Sequence, residues 1–184
     1  YAALSYCWGA DQPNALKSST YAHYMEAIDV AIIPWSINDA IISSRRLGLT
    51  YLWVDSLCIL QDNDVDKTKE IGKMAGIYAN AYVTISAAVA STCDDGFLQK
   101  RTIGEPERFR LPFHLPDGQI GNIFVYGLGQ INARISELIA RRAWILQERF
   151  MSRRTLIVQQ QLLWSCLEEW GKDGGGITKG EYFT

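Results

Sequence analysis

The sequence predicts an α/β fold: a mostly parallel sheet flanked by helices, with an inserted antiparallel hairpin. Three observations carry that prediction. Apolar runs of strand length alternate with amphipathic stretches of helix length over residues 2–87, in the order strand, helix, strand, helix, strand. The run Tyr51-Leu52-Trp53-Val54 is apolar throughout, as a central parallel strand is. Between residues 91 and 130 the pattern changes to two strand-like runs joined through Pro116-Asp117-Gly118, a good turn sequence.

The elements follow in order. Residues 2–9 read as a short apolar strand that stops at Gly9, and Asp11 and Pro13 begin a polar loop. Residues 21–31 fit either an irregular segment or a short helix. A helix starts at Pro34, with proline in its first turn, an apolar stripe of Ile37, Ala40, Ile41 and Leu47, and Gly48 as its C-terminal cap. After the strand at 51–54 the chain turns polar at Asp55-Ser56.

The acidic run Asp62-Asn63-Asp64-Val65-Asp66 starts like a calcium loop. Lys67 stands where that loop needs glycine and Lys73 where it needs glutamate, so calcium is rejected. The acids serve instead the positive end of a helix over 67–79, whose stripe is Ile71, Met74, Ala75 and Tyr78, with Asn80 as cap. Residues 82–87 form the third strand, and 109–113 and 120–126 the two strands of the hairpin. Gly127-Leu128-Gly129 is set aside as a dinucleotide fingerprint, because Asn132 holds the third glycine position and no βαβ unit follows. A helical stretch starts near Ile135, and 155–159 and 162–166 make two short strands or a hairpin. From Gly171, with glycines at 174–176, a loose tail is expected.

A chain of 184 residues, 48% hydrophobic and 21% charged, is a folded protein with one core. A formal net charge of -2 gives no footprint for nucleic acid, and no apolar run is long enough to span a bilayer. The chain opens on Tyr1 without an initiator Met, which predicts a piece of a larger protein. Cys7, Cys58, Cys93 and Cys166 are widely spaced, without a CxxC pair, and read as reduced thiols of a cytoplasmic protein. With only His23 and His114 beside them, no metal site is expected.

The stretch with chemical content is Arg142-Ala143-Trp144-Ile145-Leu146-Gln147-Glu148. On a helix, Trp144 and Glu148 lie four residues apart and share a face. A carboxylate beside an indole suits catalysis at a sugar carbon, where positive charge develops as a glycosidic bond breaks. The competing reading is an amphipathic helix with Trp144 in the core and Glu148 at the water edge.

Three blocks, taken together, carry a resemblance. They are Leu4-Ser5-Tyr6-Cys7-Trp8-Gly9; Leu52-Trp53-Val54-Asp55-Ser56-Leu57-Cys58-Ile59-Leu60-Gln61, continued by Ile71, Met74, Ile77, Tyr78, Ala81 and Thr84; and Arg142 to Arg149, followed by Ser152, Arg154 and Trp164-Ser165-Cys166. Their types, order and spacing resemble the heterokaryon-incompatibility (HET) domain of filamentous fungi, over nearly the whole chain up to about Cys166. Leu60 departs from the polar residue or Asp common there. The resemblance implies a role in nonself recognition, with cell death triggered by incompatible partners. It also implies a HET domain over 1–170, with an insertion at about 91–130, and a flexible tail or linker over 171–184.

HET domains in turn look like remote relatives of TIR domains, which implies a flavodoxin-like sheet. TIR enzymes that consume NAD carry a Trp-Cys-x-x-Glu helix whose Glu is catalytic. Trp144 and Glu148 match that spacing, with Ile145 in place of the Cys. In such a sheet, ligands bind beyond the carboxyl ends of the strands. The site implied there has Glu148 as catalytic carboxylate. Trp144 or Trp8 would stack on a ring, Asp55 or Gln61 would meet ribose hydroxyls, and Arg142 would meet phosphate. Tyr6, Gly9 and Cys58 complete the candidates. Against each stands a structural reading: core aromatics, an Arg142–Asp55 ion pair, Cys58 as a small buried hydrophobe.

Three functions follow as expectations. One is an NAD glycohydrolase, with NAD as substrate and no tightly bound cofactor. The second is a non-enzymatic module that homo-oligomerises or recruits other signalling proteins of the incompatibility system. A distant third is a cysteine hydrolase pairing Cys7 or Cys58 with His23 or His114.

Overall fold

The chain is described by a computed structural model over residues 1–100, 108–126, 148–159, 162–172 and 178–179. The first part alternates as expected: β1 (Ala2–Ser5), α1 (Tyr21–Glu26), α2 (Trp35–Arg46), β2 (Leu52–Trp53), a single turn α3 (Asp55–Cys58), α4 (Asp64–Asn80) and β3 (Val83–Ser86). The hairpin of β4 (Arg108–His114) and β5 (Ile120–Tyr126) comes next, then β6 (Arg154–Val158), β7 (Leu162–Cys166), β8 (Glu169–Lys172) and β9 (Thr178–Lys179). The helical stretch expected from Ile135 and the Gly127-Leu128-Gly129 turn lie outside the described residues.

Among the described residues one sheet has the order β2-β1-β3-β6-β7-β8-β9. β2, β1, β3 and β6 run parallel, and from β6 to β9 each pairing is antiparallel. The α/β expectation therefore holds. The parallel half follows the 2-1-3-4 order of doubly wound sheets, with the chain reversing its direction of travel between β1 and β3. β8 and β9 are short strands in and beside the stretch that the sequence reads as a tail.

Register decides which side chain faces which helix. Ala2 lies opposite Val83 and Leu4 opposite Ile85, so these four share one face. There they pack with Ile37 and Ala40 of α2. Ala3, Ser5, Thr84 and Ser86 take the other face, where Ala3 meets Met74 and Tyr78 of α4. Helices on both faces are what two successive right-handed crossovers produce when the second reverses direction. The α2 face is aliphatic. The α4 face carries a buried row of hydroxyls: Ser5, Thr84, Ser86 and, on β6, Thr155.

Several expectations need correction. Tyr51-Leu52-Trp53-Val54 is not a central strand. β2 pairs only with β1 and forms the sheet edge, because β3 returns to the far side of β1; Tyr51 is 74% exposed. β1 ends at Ser5 rather than Gly9. Leu47 drops out of the α2 stripe at 45% exposure: the helix ends at Arg46, and Leu49 packs on the core instead. Gly48 takes the left-handed conformation (φ 74°) expected of a cap. α4 begins at Asp64, three residues early, because Asn63 caps it by accepting from the Val65 and Asp66 amides.

The loop after β3 is held by the buried start of α2. Ser36 Oγ donates to the Asp95 carbonyl (2.6 Å), and Asp39 Oδ2 accepts from the Phe97 and Leu98 amides at 2.6 and 2.9 Å. Asp39→Ala strands both amides next to the fully buried Phe97. The expected cost is about 2 kcal/mol, read as a lower urea midpoint at constant m-value. Asp39→Asn, which keeps one acceptor oxygen, is expected to lose less.

The hairpin stands as its own two-stranded sheet within a compact unit, Arg101–Ser136. Its strands pair from Arg108↔Tyr126 to His114↔Ile120. The turn at Pro116-Asp117-Gly118 closes as its composition predicts, with Gly118 at φ 81° and Leu115 N–H donating to the Gln119 carbonyl (2.8 Å).

Candidate functional site

Beyond the carboxyl end of β1 lies a pocket of about 170 Å³. A cavity of about 150 Å³ holds a benzene-sized ring, so this one admits a planar heterocycle. Tyr6, Trp8, Asp55, Gln61 and Glu148 line it together, although they come from three separate stretches of chain. Gly9 and Cys58 do not line it. Trp144 and Arg142 lie outside the described residues. Lining residues that the sequence did not mark as site candidates are Lys67, Ile59, Leu4, Ile71, Met74 and Tyr78; apart from Lys67, they stand in the sequence as members of the resemblance blocks, the last three also as a helix stripe.

Glu148 lies in a helical turn, described over 148–151, and is 8% exposed. Ser5 Oγ, at the end of β1, donates to its Oε2 at 2.5 Å. Its backbone carbonyl accepts from Ser152 Oγ (2.6 Å), and that hydroxyl also meets Thr84 Oγ1 of β3 at 2.6 Å. The side chain is thus anchored on β1 and the main chain on β3, so the carboxylate stands over the point where the strand order reverses. No local signal in the sequence marks Ser5 as its partner: a serine in a four-residue strand reads as filler. The buried hydroxyl row on that sheet face explains why the partner is polar.

Trp8 and Asp55 line the same pocket as a bonded pair. The indole Nε1–H reaches both Asp55 oxygens (3.2 and 3.0 Å), while Oδ1 also accepts from the Ser56 amide at 2.7 Å. Asp55 therefore ties the indole to the first turn of its own short helix and restrains the ring of Trp8, which lines the pocket. Gln61 Nε2 donates to the Asp55 and Ile59 carbonyls (3.2 and 3.0 Å), which ties its side chain into the loop.

Two tyrosines complete the site. Tyr6 Oη pairs with Ser56 Oγ (2.8 Å) and donates to Gln12 Oε1 (3.2 Å); burial, then the Asp55 charge, drives its pKa far above the ordinary tyrosine range. Tyr78 Oη donates to the Leu4 carbonyl at 3.1 Å and is raised by burial, then by the charge of Glu148. Both phenols stay neutral at any physiological pH, and each spends its single proton on the protein. The pocket thus offers two carboxylates, an indole and apolar walls, an arrangement suited to a ligand with a flat, positively charged ring.

Gly9 serves the backbone. At φ 80° it occupies the left-handed region, and an added Cβ would sit 2.7 Å from Thr92 Cβ and Cγ2. Gly9→Ala is expected to cost about 1–2 kcal/mol. It also pushes Trp8 away from the 92–93 loop, to which its carbonyl is bonded through the Cys93 amide (3.3 Å). A shift in tryptophan emission with a lowered melting temperature checks this. Cys58 is exposed, while the packing around its sulfur raises the thiol, the opposite of an activated nucleophile.

Among the described residues no group of three or more His, Cys, Asp or Glu side chains can hold a metal ion, and no helix is long and apolar enough to cross a membrane. A family model described as Heterokaryon incompatibility protein (HET) matches residues 1–148. No curated protein and no solved structure matches the chain.

Proposed function

From the premise that this chain belongs to the heterokaryon-incompatibility family of fungi, we propose that its pocket hydrolyses NAD and that loss of the cofactor is how the domain brings about cell death. The observation that carries the proposal is Glu148 lining a ring-sized pocket together with Trp8 and Asp55. A carboxylate that only finished a helix surface would not be held by a strand hydroxyl on the inner sheet face. The spacing from Trp144 to Glu148, which resembles that of NAD-consuming TIR enzymes, supports the same reading.

In this reading the nicotinamide ring stacks on Trp8. The ribosyl C1′–N1 bond breaks and nicotinamide leaves neutral with the bonding electrons. Glu148 stabilises the oxocarbenium ion left behind, and water adds to C1′ with release of a proton. ADP-ribose and nicotinamide are the products. NAD acts as a substrate, not a bound cofactor, in a cytoplasmic protein whose partners are other copies of itself or proteins of the incompatibility system.

The test is nicotinamide release by the purified domain, assayed at high concentration and after forced clustering. Release supports the enzyme, and silence under both conditions sinks it. A second reading, a non-enzymatic module that works by oligomerising, draws on the exposed apolar side chains Met25, Val30 and Trp35. It predicts self-association without turnover.

A further inference from the structure

Lys67 is the positive side chain among the described residues that line the pocket. It sits in the second turn of α4, and Lys67, Ile71, Met74 and Tyr78 follow one another at i, i+4, i+7 and i+11, a single helix face. All four line the pocket. Tyr78 and Met74 are buried, whereas Ile71 is 41% exposed and Lys67 partly exposed, so the stripe runs from a buried end at Tyr78 to a solvent-reached end that carries Ile71 and Lys67. Among the described residues its ammonium makes no ion pair and no side-chain hydrogen bond; Glu70, on the same helix, is taken by Lys73 at 2.6 Å. The start of α4 does not attract anions by itself, because Asp64 and Asp66 occupy its first turn.

Among the described residues, charge is therefore divided along the pocket, with Glu148 and Asp55 as its carboxylates and the Lys67 ammonium at the solvent-reached end of the helix stripe. We propose that Lys67 binds the diphosphate of a dinucleotide and makes the site select a dinucleotide over the corresponding nucleoside. This rests on the NAD reading above: a ligand cationic at the ring and anionic at the diphosphate is the complement of that division. A flexible ammonium suits a phosphate held near solvent.

The experiment is titration calorimetry with ADP-ribose, which carries the diphosphate, and with nicotinamide riboside, which lacks it. The proteins are the parent chain, Lys67→Met and Lys67→Arg, each checked by thermal melting. Lys67→Met is expected to weaken ADP-ribose binding about tenfold and to flatten its salt dependence. It should leave nicotinamide riboside unchanged, and Lys67→Arg should restore most of the loss. Equal losses for both ligands, or none for ADP-ribose, overturn the role of Lys67 while the NAD reading stands. A parent chain that binds neither ligand overturns both.

Discussion

Glu148→Gln is expected to lower nicotinamide release from NAD by about a thousandfold without loss of the fold. The size follows from what the side chain is asked to do: removing one preorganised electrostatic partner of a transition-state charge costs two to three orders of magnitude, about 3–4 kcal/mol of barrier. Glutamine is the informative replacement because its amide oxygen still accepts from Ser5 Oγ, so the 2.5 Å contact survives with the charge removed. Glutamine is also nearly isosteric with glutamate, so the fold should persist, read as an unchanged circular dichroism spectrum. Glu148→Ala differs, since Ser5 then loses its acceptor in a buried place and the fold weakens by about 1–3 kcal/mol. Equal activity in the parent chain and Glu148→Gln would remove Glu148 from the chemistry, whatever the alanine variant does.

Ile85→Ala should cost about 3–4 kcal/mol, the largest effect on stability expected for a single aliphatic truncation here. Ile85 is 0% exposed and lies in β3, which is flanked by β1 on one side and β6 on the other. Neither neighbour can close over the cavity without breaking register, so the upper part of the range for buried isoleucine applies. The control is Ile71→Ala on α4, where 41% exposure keeps the loss below about 1 kcal/mol. Chemical unfolding of both variants at equal m-value measures the difference. Similar midpoints would show that the β3 environment relaxes far more than a strand held on both edges should.

The parts of this fold legible in the sequence are those written in local chemistry. Pro34 and Gly48 bracket α2, Pro116-Asp117-Gly118 turns the hairpin, and the i, i+3, i+4 spacing marks α4. Each depends on neighbours a few residues away. The edge position of β2 does not: four apolar residues say strand, but their neighbours depend on where β3 comes to rest. The parallel pairing of β6 with β3 joins Thr84 to Thr155, and no spacing rule reaches that far. At the site, Trp8, Asp55 and Glu148 could be named because indoles and carboxylates carry chemistry wherever they stand. Ser5 could not, because its importance comes from a partner at the other end of the chain. In the sequence Lys67 spoils a calcium loop and begins a helix; its place on the pocket face of α4 follows from the same periodicity that marks Ile71, Met74 and Tyr78.

The bond between Ser5 and Glu148 joins residues 143 apart in sequence. A ribosome releases the first of them early and the second only when most of the domain has been made. The half-made chain already contains Tyr6, Trp8, Asp55 and Lys67 but has no carboxylate to set over β1. Closing so long a loop is also slow compared with forming the helices and hairpins along the way. The pocket therefore stays incomplete throughout synthesis and in any fragment cut short before residue 148. Whatever chemistry the pocket performs, a chain that stops short of Glu148 lacks the carboxylate that stands over β1.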